Sequence, residues 1–212
     1  MLFFLTRVPA VQDALFQRLA QNLISTAPNI FPEEDSLSAL VCGSKSPLPH
    51  PTRAETCVMI KAGEETFIFD VGNRSIDNLR NWRVPLTQLN SIFISHLHSD
   101  HIAELPEIHM WNWVGTGRQS KLKVYGPEGI NQVLNGFTEA YSLDWKYRND
   151  HHGDDFAPLE IAGFDGYEII NFNSPVYESN GIKISAFLVD HNPVDPSLAF
   201  KIEYKERSIV LS

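Results

Sequence analysis

Cysteine is scarce: the 212 residues hold only Cys42 and Cys57, with no Cys-x-x-Cys spacing. That removes thiolate-pair metal and redox motifs from consideration. The two read either as buried apolar residues or as one disulfide, which leaves the compartment open between cytoplasm and cell envelope. Basic residues are outnumbered, 17 Lys+Arg against 26 Asp+Glu, for a net charge of −9. This balance argues against a nucleic-acid partner, although it leaves room for a local basic patch. No apolar stretch reaches the length of a membrane span, so a soluble chain is expected. Met1-Leu2-Phe3-Phe4-Leu5 is apolar but too short for a signal-peptide core. It reads as a hydrophobic anchor onto the domain, or as the tail of a longer apolar segment. There is no internal repeat and no low-complexity tract. What is present in quantity is hydrophobic residues, 43% of the chain, enough for one real core and possibly one large domain.

The residues that carry chemistry concentrate in Ser95-His96-Leu97-His98-Ser99-Asp100-His101. An apolar run, Ser91-Ile92-Phe93-Ile94, leads into them and reads as a short buried β-strand. In an extended segment alternate side chains share a side, so His96, His98 and Asp100 face one way. Imidazole and carboxylate together suit zinc, with iron or manganese as alternatives. A hydrolytic centre needs several ligands and an open position, and one loop cannot wrap all four groups around one ion. Two ions and a further histidine are expected. His191, in Val189-Asp190-His191-Asn192-Pro193, is the best candidate because it too follows a strand. Asp100 is also the candidate catalytic residue, as a proton relay. His50, His109, His151 and His152 are expected to be loop, surface or packing residues. Trp111, Trp113 and Trp145 are expected to serve core packing.

The rest of the chain reads as α/β. Val8 to Ile24 predicts an amphipathic helix and Pro28 to Asp35 a linker, so residues 1–35 are set apart from a main domain at 36–212. Strands are predicted at Leu37 to Cys42, Thr56 to Lys61 and Thr66 to Asp70, the last two joined as a hairpin through Ala62-Gly63-Glu64-Glu65. Ser75 to Trp82 predicts a helix capped by Ser75. Leu86 to Asn90 leads into the motif strand, and His101 to Trp113 predicts a helix. Leu122 to Tyr125 is a predicted strand and Ile130 to Tyr141 a helix. Asp144 to Pro158 is predicted to be irregular. Tyr167 to Phe172, Ile182 to Val189, Leu198 to Tyr204 and Ser208 to Leu211 complete the strands. Sheets between helices are the expectation.

His-x-His-x-Asp-His resembles the signature of the metallo-β-lactamase superfamily. Ala39 to Pro49 with Arg53, Phe67-Ile68-Phe69-Asp70-Val71-Gly72, Val124 to Gly129, and Asp190-His191 followed by Ser197 to Ile202 resemble the ribonuclease Z and arylsulfatase-like branch. The resemblance covers Leu37 to the end. It implies an αββα sandwich, seen here as its N-terminal portion with an extra N-terminal helix. It also implies His96, His98 and His191 on a first ion, Asp100 and His101 on a second, and Asp70 as a structural aspartate. Its bridging aspartate and late histidine would follow Ile209-Val210-Leu211-Ser212, so the 212-residue form is expected to be impaired.

The implied activity is hydrolysis of phosphodiester or aryl sulfate esters through a metal-bound hydroxide, with a small ester as substrate. His98, where redox members carry glutamate, favours hydrolysis. Two alternatives stand beside it: a ribonuclease Z-type tRNA 3′-processing endonuclease, and a non-catalytic metal-binding fragment. The endonucleases of the branch carry a tRNA-gripping arm after the third histidine. Here a predicted hairpin follows His191 at once, which favours the small ester. A homo-oligomer stays open.

Overall fold

In the computed structural model the described residues are 8, 10–15, 18–19, 30–32 and 35–212. Residues 10–15 and 18–19 are helical, in keeping with part of the predicted N-terminal helix. The remainder of that prediction, the apolar start and most of the predicted linker lie outside the described residues.

Two sheets build the fold. The first has six strands in sequential order: β1 (Leu37–Gly43), β2 (Cys57–Ala62), β3 (Glu65–Phe69), β4 (Leu89–Phe93), β5 (Leu122–Gly126) and β6 (Phe164–Glu168). β1 to β3 pair antiparallel, and β3 to β6 pair parallel. The β2–β3 hairpin pairs Ala62 with Glu65, leaving Gly63 and Glu64 as its loop, and Gly63 takes a φ of 56° that a side chain would resist. Cys42 and Cys57 form a buried disulfide between β1 and β2, so the cysteines are at once a core pair and a cross-link.

Parallel neighbours need crossovers, and these carry the helices. α1 (Ser75–Asn81) joins β3 to β4, α2 (Ser99–Ile102) and α3 (Leu105–Trp113) join β4 to β5, and α4 (Ile130–His152) joins β5 to β6. The second sheet is an antiparallel meander of β7 (Tyr177–Ser179), β8 (Ile182–Leu188), β9 (Leu198–Tyr204) and β10 (Arg207–Leu211), in the order β10-β9-β8-β7.

Alternation along the strands assigns the layers. In β3, Phe67 and Phe69 face the second sheet, whereas Ile68 faces the helices. Between the sheets, Phe67, Phe69 and Phe93 meet Ile184, Ala186, Phe200 and Ile202. Phe93 is central: its ring lies 5.0 Å from Phe69, 4.8 Å from Tyr125 and 5.6 Å from Phe200. On the other face Ile68, Ile92 and Val124 pack with Ile76, Leu79, Leu105, Ile108 and Ile130. The described residues thus form helix, sheet and sheet layers, the α/β arrangement expected. Among them no helix is long and apolar enough to cross a membrane.

Four expectations need correction. The predicted helix from His101 to Trp113 is two helices, because Pro106 is tolerated only in the first turn and a new helix starts at Leu105. The supposedly irregular stretch from Asp144 continues α4 to His152. Ion pairs one turn apart support it, with Arg148 2.9 Å from Asp144 and Lys146 paired to Asp150. Trp145 anchors the same stretch by burial against Trp113 and Phe156, and the helix ends where Gly153 takes a φ of 81°. β6 lies earlier than predicted, and β7 has no predicted counterpart, because a three-residue strand is too short for alternation to show. Ser75 does not cap α1 either. The Glu104 carboxylate reaches across from the next crossover and accepts from the backbone N–H of Arg74 and of Ile76, the latter at 2.7 Å.

Since Phe93 touches both sheets and is wholly buried, Phe93→Ala should cost about 3–5 kcal/mol. The midpoint of chemical unfolding reads this out. A shift as small as that of a surface substitution would show that the inter-sheet core does not hold the layers together.

Candidate metal centre

Two strands from different sheets deliver the site. β4 ends at Phe93 and opens into the loop bearing His96 and His98, which turns directly into α2 with Asp100 and His101. β8 ends at Leu188 and leads to His191. A backbone hydrogen bond from Leu198 N–H to Ser95 C=O, 2.9 Å, ties the start of β9 to the first loop. It closes the gap of 95 positions between His96 and His191.

Ligand atoms of His96, His98 and His191 all lie within 4.8 Å of one another. His96 Nε2 and His98 Nδ1 are 3.1 Å apart, and the His96 and His191 rings lie 4.8 Å apart. His96 is buried, whereas His98 and His191 are exposed, so the group opens to water on one side.

Asp70 organises the rest. It sits just after β3 at a φ of 59°, a left-handed position that aspartate tolerates better than most residues. Its Oδ1 accepts from Ser95 N–H at 2.8 Å, and its Oδ2 accepts from Ser95 Oγ–H and from His101 Nδ1–H, each at 2.8 Å. Ser95 Oγ lies 3.1 Å from His96 Nδ1. With its own proton on Asp70, Ser95 Oγ accepts from His96 Nδ1–H. This chain of donors assigns the tautomers: His96 and His101 each keep an Nε2 lone pair free for the site. His101 Nε2 lies 3.6 Å from Asp100 Oδ2, and the His96 and His101 rings are 3.9 Å apart. Asp100 is buried and shares this corner.

Electrostatics divide the histidines. Burial, aided by the neighbouring His101, His191 and His98, pushes His96 down to about 4, which keeps it a neutral ligand at pH 7. His101 is also opposed by burial, but the hydrogen bond and charge of Asp70, with Asp100 behind, raise it above its ordinary value. The donor set therefore fits a divalent ion: the imidazoles of His96, His98 and His191 converge on a point open to water, and the His96 Nε2 lone pair faces it.

The loop can lie this close only because of Gly72. A Cβ there would fall 2.1 Å from Asp100 C=O and 2.4 Å from Glu55 Cβ. Glu55 itself pairs with Lys45 at 2.6 Å in a nearly buried ion pair and accepts from Asn73 N–H.

All five residues singled out in the sequence fall in this region. The part played by Asp70 is larger than its position suggests; an acidic residue closing an apolar strand just before Gly72 was the available signal. Ser95 and the Lys45–Glu55 pair carried no sequence signal, since their partners are distant in the chain. The other histidines lie elsewhere. His50 is exposed, its Nδ1 accepting from Thr52 and Arg53 N–H. His109 is buried between Trp113 and Trp145 and held down to about 4 by burial, its Nε2 accepting from Gly163 N–H. Trp113 and Trp145 are core residues, whereas Trp111 is partly exposed beneath Arg80.

The family model described as Anti-Pycsar protein Apyc1 matches residues 40–212. The chain belongs to that family. Ribonuclease Z of Mycobacterium bovis (strain BCG / Pasteur 1173P2) is 31% identical over 179 residues, covering 83% of this chain and 62% of the relative. The chain thus spans about three fifths of the length of the curated relatives it matches. Among solved structures, the metallo-beta-lactamase fold protein YhfI from Bacillus subtilis superposes with a TM-score of 0.61 at 17% identity, covering 84% of this chain and 61% of that one. Human tRNase Z, short form, gives 0.60 at 21% identity, covering 82% and 67%. The fold is that of metallo-β-lactamase fold proteins, and ribonuclease Z sequences are among the chain's relatives.

Because Asp70 orients His101 and, through Ser95, His96, Asp70→Asn should weaken metal binding by about 10- to 100-fold. A competition titration with zinc and a chromophoric chelator measures it. Unchanged affinity in a folded variant would remove Asp70 from the role assigned here.

Proposed function

We propose that the chain carries the metal-holding face of a hydrolase acting on small phosphodiesters, with aryl sulfates as the second ester class. The observation that supports this most is the convergence of His96, His98 and His191 from two sheets onto one point open to water. In this reading His96, His98 and His191 hold a first ion. Asp100 and His101 contribute to a second. Residues 36–212 are read as the metallo-β-lactamase-like unit, with the helical residues 10–15 and 18–19 preceding it. Zinc is the first choice for imidazole-rich donors, with manganese or iron as alternatives.

When bound, such ions supply polarisation of the ester and a nucleophile at neutral pH. The protein residues supply the rest. Asp70 and Ser95 hold His96 and His101 in the ligating tautomer. Asp100, beside His101 at the reacting corner, is the group placed to hold a proton during ester cleavage. The packed core behind β4 excludes water from the rear of the site.

The stretch after His191 supports a small substrate. β8 ends at Leu188, β9 begins at Leu198, and β9 and β10 pair tightly as a hairpin. No tRNA-gripping arm fits between His191 and Leu211. The net charge of −9 points the same way, since grip on a phosphate backbone comes from Lys and Arg. A tRNA 3′-processing endonuclease is the second reading, favoured by the 31% identity to a protein named Ribonuclease Z.

An activity panel on the full-length protein separates them: bis(p-nitrophenyl) phosphate, p-nitrophenyl sulfate and a precursor tRNA, each with zinc or manganese. Turnover of the phosphodiester is expected, with His191→Ala lowering it by at least about 100-fold through loss of a metal ligand. Efficient cleavage of the precursor tRNA with negligible turnover of both small esters would overturn the choice. Full activity in His191→Ala would overturn the ligand set.

A further inference from the structure

Two of the histidines expected to be plain surface residues do not stand alone. His151 and His152 form the last turn of α4, and the helical segment at residues 10–15 brings Asp13 against them. His152 Nδ1 lies 3.2 Å from Asp13 Oδ1. The His151 and His152 rings stand nearly perpendicular, 83° apart, with centroids 4.4 Å from each other. One ligand atom from each of the three residues lies within 4.8 Å of the others. None of the three belongs to the centre at the end of β4.

We propose that Asp13, His151 and His152 form a second metal site, for a borderline divalent cation such as zinc, which clips the N-terminal helical segment to the end of α4. Adjacent residues on a helix diverge by roughly a quarter turn, so two neighbouring imidazoles rarely serve one partner. Here the helix ends at once: Gly153 takes a φ of 81° and returns its N–H to Asn149 C=O. The His152 ring is braced from behind by Phe156, 4.9 Å away, so one donor is held in place without the ion. His151 is exposed and free to turn the remaining distance, since tetrahedral zinc wants its donors near 3.3 Å from one another, about 2.0–2.1 Å from the ion. Two imidazoles and one carboxylate suit zinc, nickel or copper; magnesium and calcium prefer all-oxygen shells. The carbonyls at a helix C-terminus carry partial negative charge, which favours a cation at this end. The ion would supply a link between segments nearly 140 positions apart that the Asp13–His152 contact alone, both partners partly open to solvent, supplies weakly.

The test uses zinc itself on the full-length protein. In a His96→Ala, His98→Ala, His191→Ala background, equilibrium dialysis should still show a zinc ion retained. Asp13→Asn should weaken that binding by about tenfold, and His151→Gln with His152→Gln should abolish it. If the triple background does not fold, the same substitutions on the wild-type frame should lower the zinc count by one. Hydrogen exchange adds a readout independent of activity: zinc should slow exchange of the amides at residues 10–15, and His151→Gln with His152→Gln should remove that protection. A zinc count and an exchange pattern identical with and without the two histidines would overturn the proposal.

Discussion

The Asp70 carboxylate is the point on which the site depends. It is buried at the end of β3 in a left-handed backbone conformation, and it accepts three hydrogen bonds, one from the Ser95 backbone, one from the Ser95 hydroxyl and one from His101. A buried carboxylate is costly unless it is satisfied, and three donors satisfy it. In return it fixes where the chain after β4 turns and which nitrogen His96 and His101 show to the site. The motif loop is therefore shaped from a neighbouring strand rather than by its own residues. Gly72 works with it, since only a residue without a side chain allows the chain after β3 to run against the backbone of Asp100.

The sheet order explains why this loop faces His191. β3 and β4 are parallel neighbours at the centre of the first sheet, so the Asp70 and His96 loops emerge side by side at the same edge. The second sheet packs across the aromatic cluster of Phe69, Phe93 and Phe200, and the Leu198–Ser95 backbone bond joins the two at the level of the site. The core is dense where the histidines are anchored and open where His98 and His191 meet water. Burial behind keeps His96 neutral, and the exposure of His98 and His191 in front leaves the group open to water.

Much of the strand pattern was legible because its signals are local. Leu198 to Tyr204 is an apolar run that alternates with Lys201 and Glu203 in its second half, and its predicted limits match β9. The apolar run before His96 read as the buried strand it is. Boundaries failed where a distant partner decides them. α4 runs through a charged stretch because Trp145 packs with Trp113 and Phe156, and Trp113 lies on a different helix. Glu104 caps α1 from another crossover, so Ser75, the obvious local cap, is not used. The disulfide could be left as an alternative but not chosen, since pairing depends on the register of β1 against β2.

By itself the sequence determined the chemistry on offer. His96, His98, Asp100 and His101 stand at alternating or adjacent positions after an apolar run, and that spacing puts four metal-binding side chains on one segment at a strand end. His191 entered as the best candidate for a further ligand, on the same strand-end logic. Tertiary structure decided what no local pattern holds: that β8 carries His191 to within ligand reach of His96, that Asp70 and Ser95 set the tautomers, and that Asp13 reaches His152. Each of those depends on two backbone segments being held a few ångströms apart, and that distance is set by sheet register and core packing, not by the residues that meet.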